Sequence, residues 1–362
     1  MKKVKVASLF ASLKIGGGVE KVQANLSLLD ALGYEFIHIL SDDLEPRNEY
    51  AGKIVSLKSK FIKGFVKKII KLFSDARKVK NIVNKENIDI LIGQGDYFYM
   101  VSGLAKLFGY KKTVAVVHTT IIRPQFIIRI LSFFLSLHDK IVLISQEELA
   151  TFRKKYFPEE KLALIYNTID TKNIDFLVKE EVSEVDFSPF TFINIGRLSY
   201  QKGQDRLLEA FDQVYAKNSN IQLIILDGEL RGNLENKAKT LDSKKAIHFL
   251  GNQKNIYKFL SRSDCFVLSS RFEGFLVLLE AMAVGIPVVS TNCPSPTEIL
   301  KGQSGELVPY QDKVVESLKV SLLKVLENAE YRNLLVINKE RLKDFSFEKN
   351  LARRESIFKE LV

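Results

Sequence analysis

The sequence predicts an α/β fold of two doubly wound units, and three observations predict it. Strand-like runs alternate with helix-like runs, the alternation restarts after a polar break, and 362 residues exceed what one hydrophobic core usually holds. In order, "KVKVASLF" is followed by a glycine loop, then by "VEKVQANLSLLDAL" at helical spacing, then by "YEFIHIL". "IDILIGQG", "KTVAVVHTT" and "DKIVLISQ" continue the pattern and place a first unit at 1–169. Residues 170–189, "DTKNIDFLVKEEVSEVDFSP", are polar and weakly periodic and read as a linker. "FTFINIG", "IQLIIL", "AIHFLG", "DCFVLSS" and "IPVVST" then recur, each before a helix-like stretch, and place a second unit at 190–344. The last residues, 345–362, read as an amphipathic helix expected to pack back onto the first unit.

Composition narrows the function classes. No stretch reaches the roughly 18–20 uninterrupted apolar residues that span a bilayer. The basic start "MKKVKVASLF" has too short an apolar part for a secretory leader and reads as a first strand, so a cytoplasmic location is expected. Two cysteines, Cys265 and Cys293, make neither a disulfide framework nor a metal cluster and read as buried thiols. No close His/Cys set suggests a transition metal. The formal charge of +11 points to an anionic partner: nucleic acid, anionic lipid or a phosphorylated small molecule.

In doubly wound sheets ligands bind beyond the carboxyl ends of the strands, and that rule ranks the loops. "KIGGGVEK" (14–21) sets three glycines before a helix, where backbone N–H groups favour anions and glycine permits close approach; it also suits a plain tight turn. In "GRLSYQKGQDRLLEAF" (196–211), Arg197 and Lys202 bracket a loop between a strand and a helix, fit to bind phosphate oxygens or simply to be solvated. In "EGFLVLLEAMAVGIPVV", Glu273 and Glu280 flank an apolar run. A loop carboxylate and a helix carboxylate in such a setting suit hydroxyl pairs on a ribose or a hexose better than two solvated side chains. His118 ends a strand in "VVHTT", whereas His38, His138 and His248 read as structural or surface residues.

Taken together, "GGGVEKV", "VVHTT", "LIYNTID", "GRLSYQKGQDRLLEAF", "DGELR", "FLGNQKN" and "SRFEGFLVLLEAMAVGIPVV" resemble, in order and over nearly the whole chain, the glycosyltransferases of family 4. The resemblance implies the GT-B fold, two facing Rossmann-like domains with a cleft between them. It implies retaining, metal-independent hexosyl transfer. Arg197 and Lys202 would neutralise the donor diphosphate, and Glu280 would hold ribose hydroxyls. Glu273 with the amides of Gly274, Phe275, Leu276 and Val277 would hold donor sugar and phosphate. His118 would face the transferred sugar, Gly17 and Gly18 would let the donor approach the first helix, and Asn252 and Gln253 would lie by the base. No cofactor is implied beyond the nucleotide-sugar co-substrate, with a UDP-sugar favoured as donor of a hexose or N-acetylhexosamine. The expected partner is a glycan or lipid-linked glycan acceptor, in surface polysaccharide or glycolipid synthesis.

Three loops depart from the family pattern. The stretch between Glu273 and Glu280 is one residue short at Phe275–Leu276, and glycines usual near Leu226–Asp227 and Ser295–Pro296 are missing. Lost glycines shift the amides that should meet a phosphate. The alternative reading is therefore a catalytically weak nucleotide-sugar-binding partner of a membrane-bound transferase. A nucleotide-sugar epimerase on the same fold fits the "EGF…LLEA" stretch less well.

A second feature lies outside the loops. Residues 58–80 carry nine Lys or Arg and one acidic residue, Asp75, with Phe61, Phe65, Ile69, Leu72, Ala76 and Val79 at helical spacing. Such a basic amphipathic helix either packs on the sheet with its lysines solvated or makes peripheral contact with an anionic leaflet. "RPQFIIRILSFFLSLH" (123–138) is strongly apolar but is broken by Pro124 and Arg129 and should not span. No nucleic-acid-binding motif is present, so no nucleic-acid partner is expected.

Overall fold

The computed structural model describes residues 3–12, 33–41, 52–59, 63–110, 112–118, 125–187, 189–226, 232–272, 276–300, 302 and 304–362. The chain divides into two compact units, Met1–Asn167 with Glu348–Val362, and Thr168–Phe347.

The first unit holds strands β1 (Lys5–Phe10), β2 (Glu35–Leu40), β3 (Lys53–Ser56), β4 (Ile90–Gln94), β5 (Thr113–Val117), β6 (Lys140–Leu143) and β7 (Leu162–Leu164). Their spatial order is β3-β2-β1-β4-β5-β6-β7, with every pair parallel. The strands read as continuous apolar runs because a parallel sheet is covered on both faces. Ala7, Leu9, Ile37, Ile39 and Leu91 pack against Leu72, Ala76, Val79 and Val83 of helix Phe65–Glu86 and Val101, Leu104 and Ala105 of helix Asp96–Leu107. The terminal helix Phe347–Leu361 completes this unit, with Asn350 Nδ2 donating to the Tyr166 carbonyl and Glu360 paired with Lys140 at 2.5 Å.

The second unit holds β8 (Phe190–Ile195), β9 (Ile221–Leu226), β10 (Ile247–Gly251), β11 (Cys265–Leu268), β12 (Val288–Thr291) and β13 (Glu306–Val308). All are parallel in the order β10-β9-β8-β11-β12-β13. Phe192, Leu223, Ile225 and Val267 pack against Leu207, Leu208, Phe211 and Val214 of helix Gln204–Tyr215 and Leu318, Leu322 and Val325 of helix Val314–Glu327. Cys265 and Cys293 are buried and unbridged.

The stretch 170–189, expected as a linker, is instead built into the second unit. Asp170 caps a short helix, Thr171–Leu177, by accepting from the Asn173 N–H at 3.1 Å. Asn255 Nδ2 holds the Leu177 carbonyl at 2.8 Å, and Lys258 pairs with Glu184 at 3.0 Å. Its polarity marks local caps and ties rather than looseness.

Among the four histidines, His138 is fully buried, with Nε2 2.9 Å from Ser102 Oγ and Nδ1 3.1 Å from the Phe134 carbonyl. Burial pushes its pKa down to about 4, against the bonds that favour the charged form. A histidine kept neutral by the fold contributes stability above its ordinary pKa near 6.5, and that contribution is lost as pH falls towards 4. Thermal unfolding between pH 7 and 4 is therefore expected to lose roughly 3 kcal/mol through this residue. His138→Gln should flatten that part of the slope.

Candidate functional site

At the carboxyl edge of the second sheet, two loops are locked together. After β8 come Gly196 and Arg197, then a single tight turn at Tyr200–Lys202, then Gly203 at the N-terminus of helix Gln204–Tyr215. Gly203 has φ +65°, and a Cβ there would lie 2.1 Å from the carbonyl oxygen of Ser269, just after β11. Only glycine meets both demands. Ser269 Oγ donates to the Lys202 carbonyl at 3.0 Å, and the Arg271 N–H donates to the Gln201 carbonyl at 2.8 Å. Buried Gln204 Nε2 holds the carbonyls of Gly196 and Arg197 at 3.3 and 3.2 Å.

Arg271 closes the arrangement. Its guanidinium binds Asp205 with two bonds of 2.8 and 2.7 Å, donates to the Tyr200 carbonyl at 2.8 Å and lies over the Tyr200 ring. Burial alone would raise the Asp205 pKa, but the bonds and charge of Arg271 outweigh it and hold the carboxyl below its ordinary range. With that acid engaged by Arg271, Arg197 stays exposed, and the aliphatic part of Lys202 passes over Gly196. The loop thus presents two cations on a backbone fixed from three sides, an arrangement suited to an anion.

Glu280 answers the question of a carboxylate in an apolar run. Helix Leu276–Val284 is apolar on nearly every side, and Leu278, Leu279, Ala281 and Met282 are buried with Glu280 among them. Tyr257 reaches across from helix Tyr257–Leu260 and donates its hydroxyl to Glu280 Oε1 at 2.9 Å. Burial and the adjacent carboxylate both raise the Tyr257 pKa, so the phenol stays a donor. Tyr257 is placed in turn by Asn255, whose Oδ1 accepts the Tyr257 N–H at 2.9 Å. Leu276 and Val277 open the same helix and are half-buried.

Asn252 and Gln253 follow β10, where Asn252 is exposed and Gln253 Nε2 folds back onto the Leu250 carbonyl at 2.7 Å. Of the shortened loops, Ser295 and Pro296 are buried in a helix, Pro294–Leu300, that starts three residues after β12. Gly17, Gly18, Asp227, Glu273, Gly274 and Phe275 lie outside the described residues.

In the first unit, His118 sits directly after β5, with Nε2 2.7 Å from Oε1 of Gln94, the last residue of β4. Gln94 is buried and passes its Nε2 to Ser8 Oγ of β1 at 2.9 Å. The Nε2 proton is thereby committed to Gln94, and Nδ1 is shielded without a protein partner. Burial, with the charge of Arg354 adding to it, lowers the pKa of His118 to about 4. The ring is thus neutral, with the Nδ1 lone pair left unmatched by a donor. Side chains of three strands, Ser8, Gln94 and His118, form one hydrogen-bonded relay.

Sequence reasoning named Arg197, Lys202, Glu280 and His118 but missed the residues that hold them: Gln204, Asp205, Arg271, Tyr257 and Gln94. Arg271 stands two positions before Glu273, and that proximity was the available signal. Gly203→Ala is expected to destabilise the second unit by about 2 kcal/mol or more and to unseat the 196–203 loop. Thermal unfolding and proteolysis of that loop measure both effects.

Comparison with known proteins follows the same division of the chain. The description "Glycosyltransferase Family 4" matches residues 16–173, and "Glycosyl transferases group 1" matches residues 175–341. An uncharacterized glycosyltransferase of Methanocaldococcus jannaschii is 31% identical over 261 residues, covering 62% of this chain and 64% of that protein. The N-acetylgalactosamine-N,N'-diacetylbacillosaminyl-diphospho-undecaprenol 4-alpha-N-acetylgalactosaminyltransferase of Campylobacter jejuni is 26% identical over 359 residues, 94% of this chain and 95% of the relative. Anabaena HepE, solved in complex with UDP and glucose, superposes with a TM-score of 0.80 at 18% identity, over 99% of this chain and 100% of that one. The two parallel sheets and the paired family matches converge: the chain is a glycosyltransferase of family 4, group 1, with the GT-B fold.

Proposed function

We propose that the protein is a retaining, metal-independent hexosyltransferase. It moves a hexose or N-acetylhexosamine from a UDP-sugar to a lipid-linked glycan acceptor, and residues 58–80 bring it to the bilayer where such an acceptor resides. The observation that carries this reading is the loop 196–203, whose two cations stand on a backbone locked to the 269–271 loop. Charge that builds up on a departing diphosphate needs fixed positive partners, and cations that need not reorganise stabilise it most. Arg197 and Lys202 take that role here. The bond from the anomeric carbon to the diphosphate oxygen breaks, with its electron pair leaving on the oxygen. The oxygen of the acceptor hydroxyl forms the new bond on the same face, and its proton passes to the departing diphosphate oxygen.

The other residues bind and orient. Glu280, steadied by Tyr257, accepts the paired ribose hydroxyls, and Asn252 and Gln253 lie by the base. Glu273 and the amides from Gly274 to Val277 hold sugar and phosphate, and Gly17 and Gly18 admit the donor. The neutral His118 accepts a hydroxyl of the transferred sugar. UDP as the nucleotide is supported by the ligand named for the Anabaena protein, and a lipid diphosphate acceptor by the name of the Campylobacter relative.

Calorimetry with UDP, GDP and ADP is expected to favour UDP, and Glu280→Gln should weaken that binding by at least tenfold. Tighter binding of GDP or ADP would overturn the donor assignment. Tyr257→Phe keeps the ring but removes the hydroxyl that donates to buried Glu280, and is expected to weaken UDP roughly 3- to 10-fold and to lower the melting temperature by a few degrees. Lys202→Ala should lower kcat about 10²- to 10³-fold with a smaller change in KM. A second reading, a binding partner with little activity of its own, is favoured by the residue missing after Phe275. UDP binding without transfer to any acceptor, with transfer gained on inserting a glycine there, would replace the first reading with the second.

A further inference from the structure

Helix Phe65–Glu86 is too long for the sheet it covers. Its 22 residues extend about 33 Å, whereas the five residues of β4 extend about 17 Å. The helix C-terminus is tied to the start of β4, since Asn87 caps it and Ile90 already begins the strand. The excess must therefore project past the carboxyl edge of the strands. Burial follows the same arithmetic: Leu72, Ala76, Val79 and Val83 are buried, and every residue from Lys63 to Ile70 is exposed. The overhang carries Phe65 at 79% exposure, Val66 at 66% and Ile70 at 64%, with Ile69 and Phe73 also exposed. Lys63, Lys67 and Lys68 stand among them.

A second helix repeats this chemistry. In Gln125–Ser136, Leu131 and Leu135 face inward, while Phe126, Ile130 and Phe133 form an exposed stripe at i, i+4 and i+7, with Arg129 beside it. Topology places both helices on one side. The connections β3→β4, β4→β5 and β5→β6 all step in the same direction across the sheet. Right-handed crossovers then put their helices on one face. Helix Asp96–Leu107 lies between the two, and both outer helices begin at the strands' carboxyl edge, where His118 and Gln94 also lie. Neither 63–73 nor 125–136 contains an acidic residue.

We propose that the first unit docks on an anionic phospholipid surface through two helices together. The overhang Phe65–Phe73 supplies capture by charge and shallow insertion, and the outer stripe of Gln125–Ser136 supplies a second apolar foothold. Charge complementarity selects this occupant: aromatic and aliphatic side chains fringed only by cations match the boundary between acyl chains and anionic headgroups. The pairing also sets an orientation, with the strands' carboxyl edge turned towards the bilayer. The docking deepens the function proposed above, which brings residues 58–80 to the bilayer, and its purpose, delivery of a lipid-linked acceptor, rests on that reading.

The chain contains no tryptophan, so a single introduced indole reports its own surroundings. Phe65→Trp, Phe126→Trp and, as a control on the other unit, the exposed Phe176→Trp are titrated with vesicles. The vesicles are phosphatidylcholine alone or phosphatidylcholine with phosphatidylglycerol, and no sugar nucleotide is added. Blue-shifted emission is expected at positions 65 and 126 with the anionic vesicles only, and none at 176. Replacing Lys63, Lys67 and Lys68 together with Gln should lower partitioning on the order of 100-fold at low salt, and less as salt rises. Phe126→Ser with Ile130→Ser and Phe133→Ser should lower it at least tenfold while the melting temperature holds.

A shift at 65 without one at 126 overturns the two-helix assignment. A shift with neutral vesicles, or one that follows protein concentration in the absence of lipid, overturns the anionic bilayer as occupant. Transfer to a soluble acceptor is assayed separately, so failure of docking and failure of the transferase reading give different results.

Discussion

The close approach of Gly203 to the carbonyl of Ser269 is the constraint on which the second unit's loops depend. It brings the turn after β8 against the end of β11, and every further tie assumes that contact: Ser269 to Lys202, Arg271 to Gln201, and Arg271 to Asp205. A side chain at position 203 would push the strand ends apart and release the two cations from their fixed backbone. Arg271 spends its charge on Asp205 and its plane on Tyr200, so it serves as a strut. Arg197 stays exposed beside it, and the stem of Lys202 lies over Gly196.

Glu280 in the second unit and His118 in the first follow one rule. A buried carboxylate or imidazole is tolerated when one of its atoms is committed to a protein partner. Glu280 has Tyr257 on Oε1, and His118 has Gln94 on Nε2. In each case the partner fixes orientation, and in His118 it also determines which nitrogen is left to accept a bond. The low pKa of His118 follows from the same burial and keeps the ring neutral through the physiological range.

The first unit departs from a simple amphipathic pattern for a geometric reason. In a helix matched to its sheet, the apolar stripe from Phe65 to Val79 would be buried along its whole length. Because helix Phe65–Glu86 overshoots the strands, the same stripe is core in its second half and surface in its first.

By itself, the sequence determined the alternating elements, the two parallel sheets and the loops worth examining, because those follow from hydrophobic period, glycine position and strand-end logic. It also singled out the carboxylate Glu280 as out of keeping with its apolar setting, and the cations Arg197 and Lys202 by their place between a strand and a helix. Only the tertiary structure decided which residues hold them. Asp205 and Arg271 are 66 positions apart, Tyr257 and Glu280 are 23 apart, and Gln94 and His118 are 24 apart, and local periodicity carries no information about such pairs. The polar stretch 170–189 looked like a linker for the same reason, since its ties to Asn255 and Lys258 are long-range. Where helix Phe65–Glu86 leaves the sheet was likewise decided by the length of the strands beneath it, a quantity that no window on the helix contains.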